Sequence, residues 1–350
     1  MRYMVGYQLQ ESEALIQEII RQKEKIHEIY FAWGDMASGR GSTVRHSALM
    51  PHEALLLQQK QLETLSGHGI SMNFLLNANC YGDASLSRAF LLQTGDLIDH
   101  LSERIGLSSI TTTSPVLAHF IKENFPDKEV RASVNMEIGT IEGMEYLAED
   151  FDSFYYKREL NRDLAQVKKM KAWCDLHGKK LYMLANSGCL NYCSARQFHD
   201  NLVAHEQEIA RMDNGAVFTS MCSRFTGSEK NRTKLLRHLN CVRPEEMYLF
   251  EPFVVAAKLA TRVSPRPERI LRAYAEGQFG GNLLELLEPN LAAAFYPTIV
   301  DNSRLPGDFC AHLAACGKDC DNCNYCLGAL AKASVTLDDG GILNADKCND

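Results

Sequence analysis

Hydrophobic positions along the chain alternate between compact apolar runs and stretches with helical spacing. Leu9, Leu15, Ile16, Ile19 and Ile20 recur at helix period among Glu, Gln and Lys, so the first 25 residues read as a helix. Ile26, Ile29, Tyr30, Phe31 and Trp33 then form a dense run closed by Gly34-Asp35, which reads as a strand. A polar, glycine-rich loop follows at 38–47, and helical spacing returns over 52–68 until Gly67 and Gly69. ISMNFLLNANCYG reads as a buried strand and SSITTTS as a short β-branched one. Ser114 and Pro115 supply an N-cap and a first helical residue for the next helix. EVRASVNME, DSFYYKREL and KKLYMLANSGC repeat the strand pattern, with helices IGTIEGMEYLAED and RDLAQVKKMKAWCDLHG between them. A last strand is expected within RPEEMYLFEPFVVAAKLATR, before a helix at ERILRAYAEGQFGGNLLELL.

Strands alternating with helices at steps of roughly 25–40 residues predict a parallel sheet, either doubly wound or closed as a barrel. The strand ends favour the barrel. Asp35, Asn77-Ala78-Asn79, Asn135-Met136-Glu137, Lys157-Arg158-Glu159 and Asn186-Ser187 place polar residues at the C-terminal end of nearly every strand, the rim where barrel chemistry sits. The GxGxxG that a dinucleotide-binding fold carries after its first strand is absent. The expected fold is therefore a (β/α)8 TIM-type barrel with its strands running from residue 26. The barrel domain takes residues 1–285, and a proline-punctuated, cysteine-rich extension takes 286–350.

Composition narrows the function. With 45% apolar and 23% charged residues the chain has the makeup of a folded globular protein. A net charge of −7 argues against phosphate binding over the whole surface. No apolar run approaches the roughly 20 residues that span a bilayer. Glu11, Glu13 and Glu18 stand where a secretion signal would need an apolar core, so a cytoplasmic protein is expected.

Twelve cysteines are many for a reducing compartment, where clustered thiols favour metal or redox chemistry over disulfides. Cys316, Cys320, Cys323 and Cys326 lie within eleven residues, so four thiolates can close on one centre. Their spacing suits tetrahedral zinc and an iron–sulfur cluster alike, and Cys310 can stand in for one of them. Cys316, Cys320 and Cys323 also match the CxxxCxxC of radical S-adenosylmethionine enzymes. They follow the barrel instead of its first strand, however, and Asn322 replaces the usual aromatic residue. A second set comprises Cys189 and Cys193, just past a strand, with Cys222 and Cys241 in later polar segments. Cys189 and Cys193 are at i and i+4, on one face if a helix begins there; Cys222 and Cys241 also read as ordinary buried thiols. Cys80 ends another strand on the same rim.

EIYFAWGDMASGR, YYKRELNRDL, LANSGCLNYCSARQFH, CVRPEEM, FGGNLLELL and the terminal cysteine cluster, in this order over residues 26–330, resemble peptidase family U32, the collagenase-like protease family. The resemblance implies a barrel. Several members carry a 4Fe–4S cluster and take part in oxygen-independent hydroxylation of ubiquinone precursors or RNA pyrimidines, with prephenate implicated as an oxygen source. It implies that Cys189, Cys193 and Cys222 are cluster ligands, with Cys241 as the fourth. Arg158 and Glu159 match the family's Arg-Glu-Leu at a strand end. There an Arg can clamp a carboxylate or phosphate and a Glu can act as base, or the two can form a buried ion pair. Arg243-Pro244-Glu245 has the same double reading, and Lys258 and Arg262 are placed to attract an anionic substrate. His199 and His205 read as surface or core residues.

The expected protein is thus an iron–sulfur enzyme with one or two 4Fe–4S clusters, or with zinc at the terminal cysteines. It would perform hydroxylation or a related redox modification on a small molecule, RNA or peptide, alone or with a heteromeric partner of its own family. The alternatives are a U32-type peptidase or other hydrolase, for which neither HExxH nor GxSxG is present, and a non-catalytic subunit that carries clusters.

Overall fold

The structure, a computed structural model, describes residues 1–41 and 48–337. Cys348 and the second half of the loop at 38–47 lie outside the described residues. Eight parallel strands close into a barrel in chain order: β1 (Tyr3–Gly6), β2 (Ile26–Phe31), β3 (Ser71–Leu76), β4 (Leu107–Thr112), β5 (Glu129–Ala132), β6 (Ser153–Tyr155), β7 (Lys180–Leu184) and β8 (Ala257–Leu259). Closure is between β8 and β1, where Lys258 pairs with Met4.

The barrel does not begin at residue 26. Its first strand lies inside the stretch read as one helix, and the helix there is only α1 (Ala14–Arg21). All four residues of β1 are buried, and an apolar run that short has no periodicity to show which element it forms. The helices that follow the next strands are α2 (Pro51–Gly67), α3 (Arg88–Ile105), α4 (Pro115–Asn124), α5 (Ile141–Glu145) and α6 (Leu164–Leu176); all but α3, whose stretch is assigned no element from the sequence, are as expected. Ser114 accepts a hydrogen bond from the Leu117 N–H and Pro115 opens α4. Asp163 caps α6 in the same way, and Gly178 takes the left-handed conformation just past its end, at φ 63°. β7 is followed by α7 (Arg196–Ala204) and several shorter helices. Helix Pro267–Glu276 follows β8 and packs on α1, closing the outer ring.

Two hydrophobic sets result from period-two alternation. One fills the space between strands and helices. The other lies inside the barrel and includes Met4, Tyr30, Leu75, Tyr155, Tyr182, Ala256 and Ala260. The lower barrel interior is polar. Arg131 there donates to Glu28 and to Glu129 (2.8 Å) and stacks 4.0 Å from the Tyr182 ring centre.

The chain beyond residue 285 lies against the barrel. Leu286, Leu287, Phe309 and Leu330 belong to the same apolar cluster as the barrel's outer helices. Thr298–Val300 and Ser334–Thr336 form a two-stranded antiparallel pair, and helix Tyr325–Ala333 packs on Leu235–His238. Among the described residues no helix is long and apolar enough to cross a membrane.

Candidate active site at the barrel mouth

A cavity of about 400 Å³ opens at the C-terminal ends of β3, β5, β6 and β7. Its walls come from Asn79 after β3, Asn135 and Glu137 after β5, and Lys157 and Glu159 after β6. After β7 they come from Tyr192, Cys193, Arg196 and Asp200. This is the rim on which the strand-end residues of the sequence are gathered.

One ion network organises it. Arg158 donates to Glu137 (2.5 Å) and to the Asn135 side-chain oxygen (2.8 Å). Arg196 donates to the other Glu137 oxygen (2.7 Å) and pairs with Glu159 (3.2 Å). Glu159 also accepts the Tyr192 backbone N–H at 3.1 Å. Burial alone would lower the Arg196 guanidinium, but Glu137 and Glu159 outweigh it and hold the group firmly charged. Three buried polar atoms of this network have no hydrogen-bond partner among the described residues: Arg158 Nε, Arg196 Nε and Glu159 Oε2. Unmade bonds in a buried network mark a place where a ligand's polar groups would be rewarded. Two of its residues are also held in the left-handed backbone region, Glu137 at φ 55° and Tyr192 at φ 53°. Non-glycine residues rarely adopt it, and such strain concentrates at binding and catalytic sites.

A second group of charges lies on the barrel axis. Lys258 alternates with Ala256 and Ala260 and so points inward; its Nζ sits 3.9 Å from the Tyr30 ring centre. Arg262 donates to Ser38 (3.1 Å), and Arg40 donates to Glu288 (3.0 Å), whose other oxygen accepts the Val263 N–H. Burial pushes the Lys258 ammonium well below its usual range, with nearby Arg262 acting in the same direction. Three cations against Glu288 make this part of the mouth electropositive.

The candidate residues from the sequence fall in three places. Glu159 lines the cavity, and Arg158 lies behind it, 2% exposed, as an ion-pair partner of Glu137. Cys193 lines the cavity, and Cys189 is within electrostatic reach of Arg40 and Arg196. Cys222 lies on helix Met221–Thr226 with its sulfur 3.2 Å from Ser220 Oγ. Cys241 is turned into the apolar core near Cys310 and Tyr274, and burial pushes its thiol up to about 12. Asn240, on the opposite parity, donates to the Cys189 carbonyl at 3.0 Å.

In the extension, burial raises the Cys326 thiol and the Arg162 guanidinium, 4.0 Å away, opposes this. Cys316 and Cys320 raise it further, so these three thiols feel one another. Cys316 accepts the Lys318 N–H at 3.3 Å, and Cys323 is tied through its carbonyl to Arg237. As placed, no three His, Cys, Asp or Glu side chains among the described residues close on a single ion.

Arg243 and Glu246 form a buried pair that receives the extension: Glu246 accepts the Cys310 N–H at 2.6 Å. Glu245 accepts from the Phe279 backbone and from Asn302. His199 packs against Phe218 with tilted rings, and His205 pairs with Glu208 near the surface. Sequence reading gave Glu137 as a strand-end residue and quoted Arg196 within SARQFH, but assigned neither a role. Arg40 ends the quoted EIYFAWGDMASGR without a role assigned to it, and nothing in the local sequence pointed to Glu288.

Barrel and mouth define a TIM-barrel protein with a charged pocket at the C-terminal face. An uncharacterized protease of Methanocaldococcus jannaschii, MJ1657, is 26% identical over 282 residues, covering 78% of this chain and 80% of that one. The U32 peptidase Mk0906 aligns with a TM-score of 0.48 at 14% identity over 61% of this chain and 80% of its own. A GH113 β-1,4-mannanase aligns at 0.38 and 9% identity over 79% and 98%. No protein-family model matches the chain.

Proposed function

We propose that this chain is a redox enzyme that binds a small anionic substrate at the barrel mouth and uses an iron–sulfur centre held by Cys316, Cys320, Cys323 and Cys326. The observation that carries the proposal is the segment Arg158–Arg162. One end presents Glu159 to the cavity, and the other places the Arg162 guanidinium 4.0 Å from Cys326 Sγ. A single turn of chain therefore joins the pocket to the thiol-rich extension.

The donor set supports such a centre. Soft thiolates suit iron–sulfur and zinc over hard cations. The Arg162 guanidinium beside Cys326 opposes the burial that raises its thiol. An iron–sulfur centre bound there would supply electron transfer. The remaining roles fall to this chain's own residues. Lys258, Arg262 and Arg40 draw an anion toward the axis. Arg196 and Arg158 hold Glu137 and the pocket wall in place. Glu159, with one oxygen unpartnered among the described residues, accepts a hydrogen bond or proton from the substrate. Cys189 and Cys193 stand at the same mouth, with Cys222 as a further ligand if a second cluster forms there, while Cys241 points into the core. Hydroxylation is the specific reaction we propose, on the strength of the family resemblance.

Anaerobic purification followed by iron, sulfide and zinc analysis tests this. About four irons and four sulfides per chain, lost in Cys320→Ser while the barrel stays folded, are the expected result. One zinc per chain with no iron would overturn the redox reading.

A further inference from the structure

Helix α7 turns charges inward. Its buried positions are Arg196, Asp200 and Ala204, each about one turn from the next, while Phe198 on another face is 57% exposed. A surface helix normally buries its apolar stripe, so two charges held over the cavity need an electrostatic reason. Arg196 has one, because it answers Glu137 and Glu159. Asp200 has none within the chain. It is 8% exposed and lines the cavity, and among the described residues its carboxylate makes no hydrogen bond or ion pair.

Two charges of the cavity wall stay unanswered. Glu137 is matched by Arg158 and Arg196, and Glu159 shares Arg196. The Asp200 carboxylate remains, and so does the Lys157 ammonium, which lines the same cavity without an ion-pair partner among the described residues. Beside them, Glu159 Oε2 and Asn79 Oδ1 accept no hydrogen bond and Arg196 Nε donates none among the described residues. An unpaired buried charge is costly, and a ligand of the opposite sign removes the cost. Among the described residues no three His, Cys, Asp or Glu side chains close on one ion. The free oxygens therefore suit an ammonium, which needs no fixed coordination sphere, better than a divalent cation. The free nitrogens suit a carboxylate, and about 400 Å³ is room for a small molecule that carries both.

We propose that the cavity takes a free acidic amino acid, its ammonium held by Asp200 and Glu159 and its α-carboxylate by Lys157 and Arg196. This rests on the reading of the mouth as the site of an anionic substrate, and it names the class of that substrate. The second acid group of the ligand supplies the net negative charge that Lys258, Arg262 and Arg40 draw toward the axis. Asp200 determines the specificity. A 2-hydroxy acid of the same skeleton brings no positive charge to it and leaves its carboxylate buried and unpaired.

Isothermal titration calorimetry on the full chain, purified anaerobically, tests this with L-glutamate and L-aspartate. The better of the two should bind at least ten-fold more tightly than its 2-hydroxy analogue (2-hydroxyglutarate or malate) and its N-acetyl derivative. It should also exceed by ten-fold the amine that lacks its α-carboxylate (4-aminobutyrate or β-alanine). Asp200→Asn should weaken the amino acid at least ten-fold and leave the 2-hydroxy analogue within two-fold. Asp200 bonds no other side chain among the described residues, so that variant should melt at or above the parent's temperature. Lys157→Met should weaken the amino acid and the 2-hydroxy analogue alike and spare the amine. No binding of either amino acid, equal affinity for the amino and hydroxy forms, or unchanged affinity in Asp200→Asn would overturn the proposal. So would magnesium or manganese bound by the parent and lost in Asp200→Asn. Iron analysis of the same samples keeps the two proposals apart. Equal binding of the 2-hydroxy analogue with iron present removes only the amino-acid assignment, and amino-acid binding without iron removes only the redox centre.

Discussion

Lys258 Nζ stands 3.9 Å from the centre of the Tyr30 ring inside the barrel, and the neighbouring carboxylates are already taken. Glu28 is paired with Arg131, and Glu288 with Arg40. The ammonium thus faces an aromatic ring and the guanidinium of Arg262, an arrangement that suits an incoming anion.

The first prediction follows from that burial. Desolvation, with Arg262, Arg131 and Arg40 adding to it and Glu28 opposing, lowers the folded pKa of Lys258 below its unfolded value of about 10.4. Between those two values the unfolded chain binds the extra proton, so this residue's contribution to stability rises with pH. Lys258→Met should be more stable than the parent by about 1–3 kcal/mol near neutrality, and the gap should close as pH approaches 10. Urea denaturation at several pH values measures it. A gap that widens with pH would contradict the assignment. The same variant should bind an anion such as citrate more weakly.

Glu137 accepts from Arg158 at 2.5 Å and from Arg196 at 2.7 Å. Glu137→Gln removes the charge they share and leaves Arg158, 2% exposed, bonded only to neutral amide oxygens. A loss of about 3–5 kcal/mol in denaturant unfolding is expected, the cost of an uncompensated buried charge. Arg196→Lys should not preserve the pocket, since one ammonium cannot reach Glu137 and Glu159 together as the planar guanidinium does.

Gly188 precedes Cys189 at the mouth, and a Cβ there would lie 2.2 Å from the Pro289 carbonyl oxygen. That obstacle is backbone and cannot swing away. Gly188 N–H also donates to the Glu288 carbonyl at 2.9 Å, so the chain after β7 and the chain entering the extension lie edge to edge. Gly188→Ala should therefore cost at least about 2 kcal/mol and expose the 286–290 segment to proteolysis, while Gly215→Ala, with open space around it, should change little.

Thiol reactivity should separate by burial. Cys241, pushed up to about 12, and Cys310 and Cys174, both raised, should resist iodoacetamide in the native chain at pH 8 and react only after denaturation. Native alkylation of Cys241 at the rate of Cys193 would show that its core position is wrong.

The barrel was legible because its pieces are periodic. Seven of the strands and most of the helices between them carry their pattern within a dozen residues, and Ser114-Pro115 and Gly178 mark helix ends by local chemistry alone. β1 was missed for the same reason in reverse. Tyr3–Gly6 is too short to show a period, and its strand conformation comes from pairing with residues more than 20 and 250 positions away.

The sequence by itself determined the alternation of elements, the polar strand ends and the clustering of thiols, because propensity, spacing and capping act between near neighbours. Tertiary structure alone decided which charges meet: Arg196 with both Glu137 and Glu159, and Arg40 with Glu288 across 248 residues. It also decided which thiols are out of reach, turning Cys241 into the core while Cys189 stays at the mouth. Those outcomes depend on barrel closure, which brings the ends of distant strands to one rim, and on burial, which sets the charge state of whatever closure encloses.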